Sequence, residues 1–240
     1  MTSEILIGID DAGRGPVIGP MCLAGVIIRK ESEKELKENG IADSKLLSPK
    51  KRESLIEFIK SKSFGWKTQL ITPNEIDTGF GEGLNLNQVE ALVAANIINE
   101  LTLRITEEQR KNLKIILDCP SINTSSWKSQ LMNYVRDKKL ASNIICEHKA
   151  DFNHVVVGAA SILAKVTRDA EIEKIKQKIG IDFGSGYSSD PKTINFLKEH
   201  ANDTKLKGIF RESWSTWQEA AGKKFNFKDK EDKSKQARLL

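Results

Sequence analysis

The chain has 240 residues, of which 39% are hydrophobic and 30% charged, the composition of a globular protein with one large domain or one domain and a helical appendage. Its net charge of +5 is concentrated in residues 222–240, where seven basic and three acidic side chains give +4 and leave +1 for the rest. No apolar run is long enough to cross a bilayer, the start lacks the features of a secretion signal, and three scattered cysteines exclude a disulfide framework, so we expect a cytoplasmic protein.

The first half of the chain predicts a sheet that begins with a hairpin. Short apolar segments predict strands over residues 4–9, 21–29 and 65–71. Amphipathic patterns predict helices over residues 47–61 and 87–103. Because a glycine-rich turn separates the first two strands, we expect them to pair with each other.

Strands and helices alternate in the second half. Apolar runs predict strands over residues 113–117 and 142–147. Helical periodicity predicts helices over residues 126–138, 153–179, 188 to about 200, and 214–221. This order is typical of an α/β sheet whose first strands form an antiparallel hairpin and whose later strands run parallel.

Acidic residues follow the ends of three predicted strands. Asp10 and Asp11 follow the first strand, Asp118 follows the fourth, and Asp151 comes four residues after the fifth. If these strands are parallel neighbours, the carboxylates converge at one sheet edge and suit two Mg²⁺ or Mn²⁺ ions. Successive strand residues point to opposite faces, so Asp10 and Asp11 can share a site only if the strand ends or bulges there. The alternative is that these aspartates only start turns.

The turn over residues 12–20 matches neither common phosphate-binding fingerprint. Its glycines are spaced GxGxxxG, a proline stands where a Rossmann helix would begin, and no Gly-Lys-Ser or Gly-Lys-Thr follows. A Gly-Arg-Gly segment can still press its backbone against a sugar-phosphate and turn N–H groups towards an oxygen. The alternative is a hairpin turn with a surface arginine.

Several motifs resemble those of one enzyme family. They are GIDDAGRGPVIGP at 8–20, DSKLLSP at 43–49, Asp118, HKAD at 148–151, AASILAKVTRD at 159–169, GSGYSSDP at 184–191 and RESW at 211–214. Together they resemble ribonuclease HII, the type 2 ribonuclease H, in its archaeal form, over nearly all of residues 5–220. The resemblance implies a ribonuclease H-like α/β fold with a five-stranded mixed sheet, flanking helices and a helical C-terminal extension.

The resemblance also implies four catalytic, metal-binding acids. Asp10, Asp118 and Asp151 match the family's metal-binding aspartates. The family's second acid is usually glutamate and here is Asp11, which keeps the charge but reaches roughly 1.5 Å less far, a difference that octahedral Mg²⁺ would notice. We therefore expect retained activity with a stronger preference for Mn²⁺.

Five further residues are implied to bind the substrate. Gly13, Arg14 and Gly15 match the turn that reads the ribose 2′-hydroxyl at an RNA–DNA junction. Tyr187 matches the tyrosine that packs on the sugar of that junction. Lys45 matches a substrate-contacting lysine, and its alternative is a solvated lysine before a helix.

The activity implied by the resemblance is endonucleolytic hydrolysis of the RNA strand of RNA/DNA hybrids, with cuts 5′ of ribonucleotides embedded in duplex DNA. Two Mg²⁺ or Mn²⁺ ions would act, leaving 5′-phosphate and 3′-hydroxyl ends, in the removal of misincorporated ribonucleotides and RNA primers. We expect the protein to be a monomer, to bind such duplexes and not to bind a membrane. We also expect a catalytic domain over 1–185, a helical extension over 186–222 and a basic, disordered tail over 223–240.

Two other functions stay open at this point. A resolvase or integrase of the same superfold would use similar carboxylates but would not need the Gly-Arg-Gly turn or Tyr187. A homologue inactivated by the change at Asp11 would bind hybrid duplex without cutting it. A sliding clamp is a further partner known for some archaeal relatives, but residues 236–240, QARLL, support it only weakly because they stop before the aromatic pair of the clamp motif.

Overall fold

The computed structural model describes residues 3–41 and 48–224. The predictions for Lys45 and for residues 225–240, which include the segment QARLL and nearly all of the predicted tail, lie outside these ranges. Within them, no helix is both long enough and apolar enough to span a bilayer.

The strands of the described ranges form one mixed sheet, as predicted. They are β1 (Ile5–Ala12), β2 (Met21–Arg29), β3 (Gly65–Ile71), β4 (Leu113–Asp118) and β5 (Ile144–Glu147), in the order β3-β2-β1-β4-β5. β1 pairs antiparallel with β2 and parallel with β4, and β4 pairs parallel with β5. The hairpin and the parallel half are both confirmed, so the carboxyl ends of β1, β4 and β5 lie at one edge of the sheet.

Several helices begin at a proline that directly follows a capping residue. The helices are α1 (Ser32–Glu38), α2 (Pro49–Ser61), α3 (Pro73–Gly81), α4 (Leu86–Leu101), α5 (Glu107–Arg110), α6 (Thr124–Tyr134), α7 (Ala150–Asn153), α8 (Val155–Ile179), α9 (Pro191–His200) and α10 (Ser215–Ala221). Ser48, Thr72 and Asp190 cap α2, α3 and α9, and each side chain accepts a backbone N–H. Proline suits the next position because its missing N–H would have no helical partner there.

The first strand is longer than predicted. The predicted strand ends at Ile9, whereas β1 continues to Ala12 with regular pairing to β2 through Asp10 and Asp11. The end or bulge that was the condition for Asp10 and Asp11 to share a site is therefore absent. Pairing with β4 stops earlier, at Ile9 opposite Leu117. β1 continues because β2 still offers backbone partners where the residues of β1 are no longer apolar.

Two compact units divide the chain, and they interleave along the sequence. The first consists of Met1–Ala12, Cys22–Gln69 and Glu90–Thr167, and the second of Gly13–Met21, Leu70–Val89 and Arg168–Leu240. The domains predicted from sequence, 1–185 and 186–222, are contiguous instead, and that division stays a prediction.

In the first unit, α8 and α4 cover opposite faces of the sheet. A Cβ on Gly8 would lie 2.4 Å from the backbone of Val156 in α8, and a Cβ on Gly25 would lie 2.4 Å from Ile97 in α4. Gly25 pairs with Ile9, so it faces the other way from Gly8. The two glycines therefore let both helices approach the middle of the sheet closely.

The second unit has an apolar core of its own. Its buried members come from the turn after β1, the second half of α8, and the chain from Phe183 to α10: Val17, Ile18, Ile172, Phe183, Phe196, Leu197, Ala201, Leu206, Phe210, Trp217 and Ala221. Ile18 also pairs with Phe210 in an isolated antiparallel bridge. The turn that follows β1 is thereby packed against the C-terminal part of the chain.

Candidate active site

Asp10 and Asp118 lie at the same level on neighbouring parallel strands. Ile9 and Leu117 are the last paired residues of β1 and β4, and each aspartate comes one residue later. Neighbouring strands are about 4.8 Å apart. The strand register therefore places these two residues side by side at the carboxyl edge of the sheet, as the acid pattern predicted.

A small cavity in the first unit is lined by Asp10, Asp11 and Asp118. The backbone N–H of Asp11 donates to Oδ1 of Asp10 at 2.8 Å, so the Asp10 carboxylate folds back along the strand towards its neighbour. Three of the four predicted metal-binding acids thus share one cavity, although β1 neither ends nor bulges at Asp10.

Glu90 lines the same cavity and was missed by the sequence reasoning. It is a buried residue of α4, and Val89 and the run from Ala91 to Ala95 around it are buried as well. Charged residues are almost never fully buried without a partner. A single glutamate inside an apolar helical segment was therefore the signal that could have identified it.

Asp10 lies in an environment that disfavours its ionised form. Its side chain is 7% exposed. This burial raises the pKa of Asp10 well above its ordinary range, and the carboxylates of Asp11 and Asp118 raise it further, whereas a hydrogen bond with Ser161 of α8 lowers it. The cavity therefore brings acidic groups together at a position where an uncompensated negative charge on Asp10 is disfavoured.

Asp151 lies in α7, immediately after β5, and is 2% exposed. Lys149 precedes α7 with a φ of 58°, a left-handed conformation that is uncommon outside glycine. The N–H of Ala150 donates to Oδ1 of Asp118 at 2.8 Å. The left-handed residue and this hydrogen bond fix the start of α7, and with it the backbone of Asp151, next to the end of β4.

The donors around this cavity fit hard divalent cations. Their carboxylate oxygens are the ligands that Mg²⁺ and Mn²⁺ prefer, and a cation would offset the mutual repulsion that raises the pKa of Asp10. In the part of the chain that the structure describes, no three His, Cys, Asp or Glu side chains already stand in a ligating arrangement. The four aspartates therefore stay a prediction as metal ligands.

The glycine turn (residues 13–19) lies in the second unit and needs glycine at its start. Gly13 has a φ of +80°, and a Cβ there would lie 3.0 Å from Nε of Arg168 and 3.1 Å from the carbonyl of Pro20. Arg14 donates from Nη2 to Oδ1 of Asn87 at 2.7 Å. The turn is therefore not a loose hairpin end with a solvated arginine.

Tyr187 stands beside the glycine turn within the second unit. A Cβ on Gly15 would lie 3.6 Å from the ring of Tyr187. Tyr187 is 36% exposed. The guanidinium carbon of Arg168 lies 5.4 Å from the ring centroid, and its Nη2 donates to the carbonyl of Ser185 at 3.0 Å. Arg168 also forms an ion pair with Asp169 at 3.3 Å, so it joins α8 to Tyr187.

Relatives of known family match almost the whole chain. A family model described as ribonuclease HII matches residues 7–217. A ribonuclease HII of Methanococcus maripaludis is 42% identical over 216 residues, which cover 90% of this chain and 86% of that protein. A ribonuclease HII of Methanococcoides burtonii is 42% identical over 217 residues, which cover 89% of this chain and 97% of that protein.

Solved structures agree in fold. The ribonuclease H2 of Pyrococcus horikoshii OT3 matches with a TM-score of 0.78 at 36% identity, covering 91% of this chain and 97% of that one. The ribonuclease HII of Archaeoglobus fulgidus, solved in a complex with PCNA, matches with a TM-score of 0.74 at 34% identity, covering 88% and 95%. The chain therefore belongs to the ribonuclease HII family and is a ribonuclease H.

Proposed function

We propose that this ribonuclease H cuts the RNA strand of RNA/DNA hybrids and the 5′ side of ribonucleotides embedded in duplex DNA, leaving 5′-phosphate and 3′-hydroxyl ends. Asp10, Asp11, Asp118 and Asp151 would hold two divalent ions. The observation that carries the proposal is the cavity shared by Asp10, Asp11 and Asp118 at the carboxyl edge of parallel strands. The alternative function, a resolvase or an integrase, has no such support, because the ribonuclease HII family model matches residues 7–217.

Asp10, Asp11, Asp118 and Asp151 would hold the ions. Two Mg²⁺ or Mn²⁺ ions held there would activate a water and stabilise the departing 3′-oxygen. Asp10 is buried and takes a hydrogen bond with Ser161, so its carboxylate is oriented before any ligand arrives. Asp118 accepts the N–H of Ala150, which keeps one of its oxygens fixed. No side chain is needed as a nucleophile.

Substrate reading is assigned to the glycine turn and Tyr187. The backbone of Gly13, Arg14 and Gly15 would contact the 2′-hydroxyl, the group that separates RNA from DNA, while the ring of Tyr187 packs on the sugar. The guanidinium of Arg168 makes a cation–π contact with this ring. Lys45 would contact a phosphate, a prediction that rests on the resemblance alone.

The proposal extends to the metal ions, the nucleic-acid partners and the cellular location. A ribonuclease HIII, 19% identical to this chain, has been solved in complex with Mn²⁺, and the A. fulgidus relative with PCNA. For this chain we keep Mg²⁺ or Mn²⁺ as the ions and ribonucleotide-containing duplexes as the partners. A sliding clamp, a monomeric state, a cytoplasmic location and a role in ribonucleotide and primer removal also stay predictions.

One cleavage assay tests the proposal. The substrate is a DNA duplex with a single ribonucleotide in one strand, assayed in Mg²⁺ and Mn²⁺ in parallel. We expect cleavage 5′ of the ribonucleotide by the wild-type protein and its loss, by at least about a thousandfold, in Asp10→Asn. Asp203→Asn, which changes an aspartate that caps a 3₁₀ turn elsewhere, is the matched control.

Three results would contradict the proposal in different ways. Full metal-dependent cleavage by Asp10→Asn would remove Asp10 from the mechanism. Preference for an all-DNA junction would favour a resolvase or integrase. Tight binding of hybrid without turnover in either metal would favour an inactive homologue.

A further inference from the structure

Arg211 is a buried arginine whose donors point at the backbone of the glycine turn. Arg211 is 0% exposed. Its Nη2 donates to the carbonyl of Gly13 at 2.6 Å, its Nη1 to that of Arg14 at 2.7 Å, and its Nε to that of Gly19 at 3.0 Å. One guanidinium therefore holds both ends of the turn.

Trp214 extends this set of contacts by one residue. Its Nε1 donates to the carbonyl of Gly15 at 3.3 Å. The guanidinium carbon of Arg211 lies 5.0 Å from the centroid of a Trp214 ring. The carbonyl oxygens of Gly13, Arg14 and Gly15 are thus all bound by side chains of the same short segment.

These contacts determine where the N–H groups of the turn point. The described residues contain no cis peptide bond, and in a trans peptide the N–H of one residue points opposite to the carbonyl before it. The N–H groups of Arg14 and Gly15 are therefore turned away from Arg211. The residue after Gly15 is Pro16, which has no N–H.

Asp77 of α3 holds the segment that carries Arg211 and Trp214. It is 1% exposed. Its carboxylate accepts the N–H of Glu212 at 3.0 Å, the N–H of Ser213 at 3.1 Å and the hydroxyl of Ser213 at 2.6 Å. The side chains of Asp77 and Arg211 are both buried, and both bind backbone groups. The position of the guanidinium is therefore fixed by its own hydrogen bonds and also by the hydrogen bonds of Asp77 to the neighbouring segment.

The geometry points to Arg211 as a positioning residue for ribose recognition. It fixes the peptide planes of the glycine turn so that the N–H groups of Arg14 and Gly15 face a ribonucleotide oxygen. This inference rests on the proposed function in one respect, that the turn reads the ribose. It adds a residue almost 200 positions away, to which the sequence reasoning gave no role.

A lysine at this position could not do the same work. A guanidinium offers five N–H donors in a planar fork, and here three of its nitrogens reach three carbonyls. The ammonium of lysine is a compact group on a flexible stem and cannot span that fork. Arg211→Lys therefore keeps the charge and removes the fork.

The experiment compares two duplexes that differ in one hydroxyl. One strand contains a single ribonucleotide, and its partner substrate has the same sequence in all-deoxy form. Binding of both is measured in the presence of a chelator, and cleavage of the first in Mg²⁺ and in Mn²⁺. For Arg211→Lys and Arg211→Met we expect the preference for the ribonucleotide duplex to fall about tenfold, the effect of one or two lost hydrogen bonds. KM should rise more than kcat falls, because the aspartates are unchanged.

A matched control separates positioning from general stability. Leu197→Ala empties part of the core of the second unit, and Leu197 is fully buried there. It should lower the melting temperature without changing the preference between the two duplexes. Trp214→Phe removes the donor to the Gly15 carbonyl but keeps an aromatic ring beside Arg211, and it should give a smaller loss of the same preference.

The outcomes distinguish a failure of the positioning role of Arg211 from a failure of the proposed ribose recognition by the glycine turn. An unchanged preference in Arg211→Lys and Trp214→Phe, with lowered stability as in Leu197→Ala, would overturn the positioning role. A wild-type protein that binds both duplexes equally would instead refute ribose reading by the turn, whatever the variants do.

Discussion

At the scale of single residues, Asp11 stands at a position where the resemblance to the family implies a glutamate. It shares a cavity with Asp10 and Asp118. Mg²⁺ demands near-ideal octahedral geometry, so a shorter acid costs more with Mg²⁺ than with an ion of looser requirements.

We expect Asp11→Glu to raise the Mg²⁺-supported cleavage rate relative to the Mn²⁺-supported rate, because the longer side chain restores reach. The measurement is the ratio of the two rates on the single-ribonucleotide duplex. Asp11→Asn is the control, since it keeps the short side chain without the charge. An unchanged ratio in Asp11→Glu would show that the backbone of β1 already compensates for the missing methylene.

Some site residues could be predicted from sequence and others could not. The side-by-side placement of Asp10 and Asp118 could be predicted because parallel strands end at one edge of a sheet. The metal-binding role of these two residues and of Asp151 stays a prediction. Glu90 and Arg211 escaped because a helical glutamate and an arginine near the C-terminus acquire their neighbours only through tertiary packing. The sequence around Glu90 or Arg211 does not indicate which residues each of them contacts in the folded protein.

At the scale of elements, a capping residue followed by proline marks three helix starts. The sequence analysis predicted helices near two of these starts, over residues 47–61 and from residue 188, where α2 and α9 lie. It predicted none at Thr72, although Glu75 three positions on completes a capping box with Thr72. α3 was therefore predictable, whereas the extension of β1 was not, because that depends on backbone partners supplied by β2.

The contact between β1 and α8 gives a prediction about stability. Gly8→Ala would place a methyl group 2.4 Å from the backbone of Val156, so the helix must shift. We expect a loss of roughly 3 kcal/mol in the free energy of unfolding, at the upper end for overpacking. Chemical denaturation measures it. Gly65→Ala is the control, because its neighbour is the flexible side chain of Arg104, and an equal loss there would contradict the explanation.

The loop before Tyr187 gives a prediction about pH. Hydrogen bonds from Lys192, the N–H of Gly184 and Lys176 lower the pKa of Asp182 below its ordinary range. A lowered folded-state pKa means that Asp182 stabilises the fold fully above the ordinary aspartate pKa, about 4, that this stabilisation decreases as the pH falls below 4, and that it is lost only below the folded-state pKa. The difference in melting temperature between wild type and Asp182→Asn should therefore be largest at pH 7 and shrink steadily between pH 4 and pH 2. A difference that is as large at pH 2 as at pH 7 would argue against the ionised carboxylate as its source.

At the scale of the whole molecule, the charge is uneven in sequence. Residues 223–240 carry seven basic and three acidic side chains, a net +4 of the total of +5. Because neutralised phosphates release counterions, a segment of this charge should steepen the salt dependence of duplex binding.

We expect deletion of residues 223–240 to weaken duplex binding at low salt and to flatten the dependence of the logarithm of affinity on the logarithm of salt concentration. A salt titration of both proteins on the same duplex measures this. A full-length variant with glutamine at the tail lysines separates charge from chain length. Identical slopes in all three proteins would show a tail that takes no part in binding.

The interleaved units are a feature that sequence patterns do not delimit. Such patterns assign local elements and favour contiguous domains such as 1–185 and 186–222, a division that stays a prediction. The second compact unit combines Gly13–Met21 and Leu70–Val89 with the C-terminal part. Such an assignment follows from long-range contacts that no window of sequence contains.

The hydrogen bonds from Arg211 to the glycine turn have a consequence for how the enzyme is made. They join positions 192 to 198 residues apart, so during synthesis the turn leaves the ribosome long before the arginine that shapes it. A nascent chain can assemble its first strands early, but the turn gains its contacts to Arg211 only after that residue has been synthesised. Under the proposed positioning role, ribose selectivity would therefore mature later than the strands that carry Asp10 and Asp11.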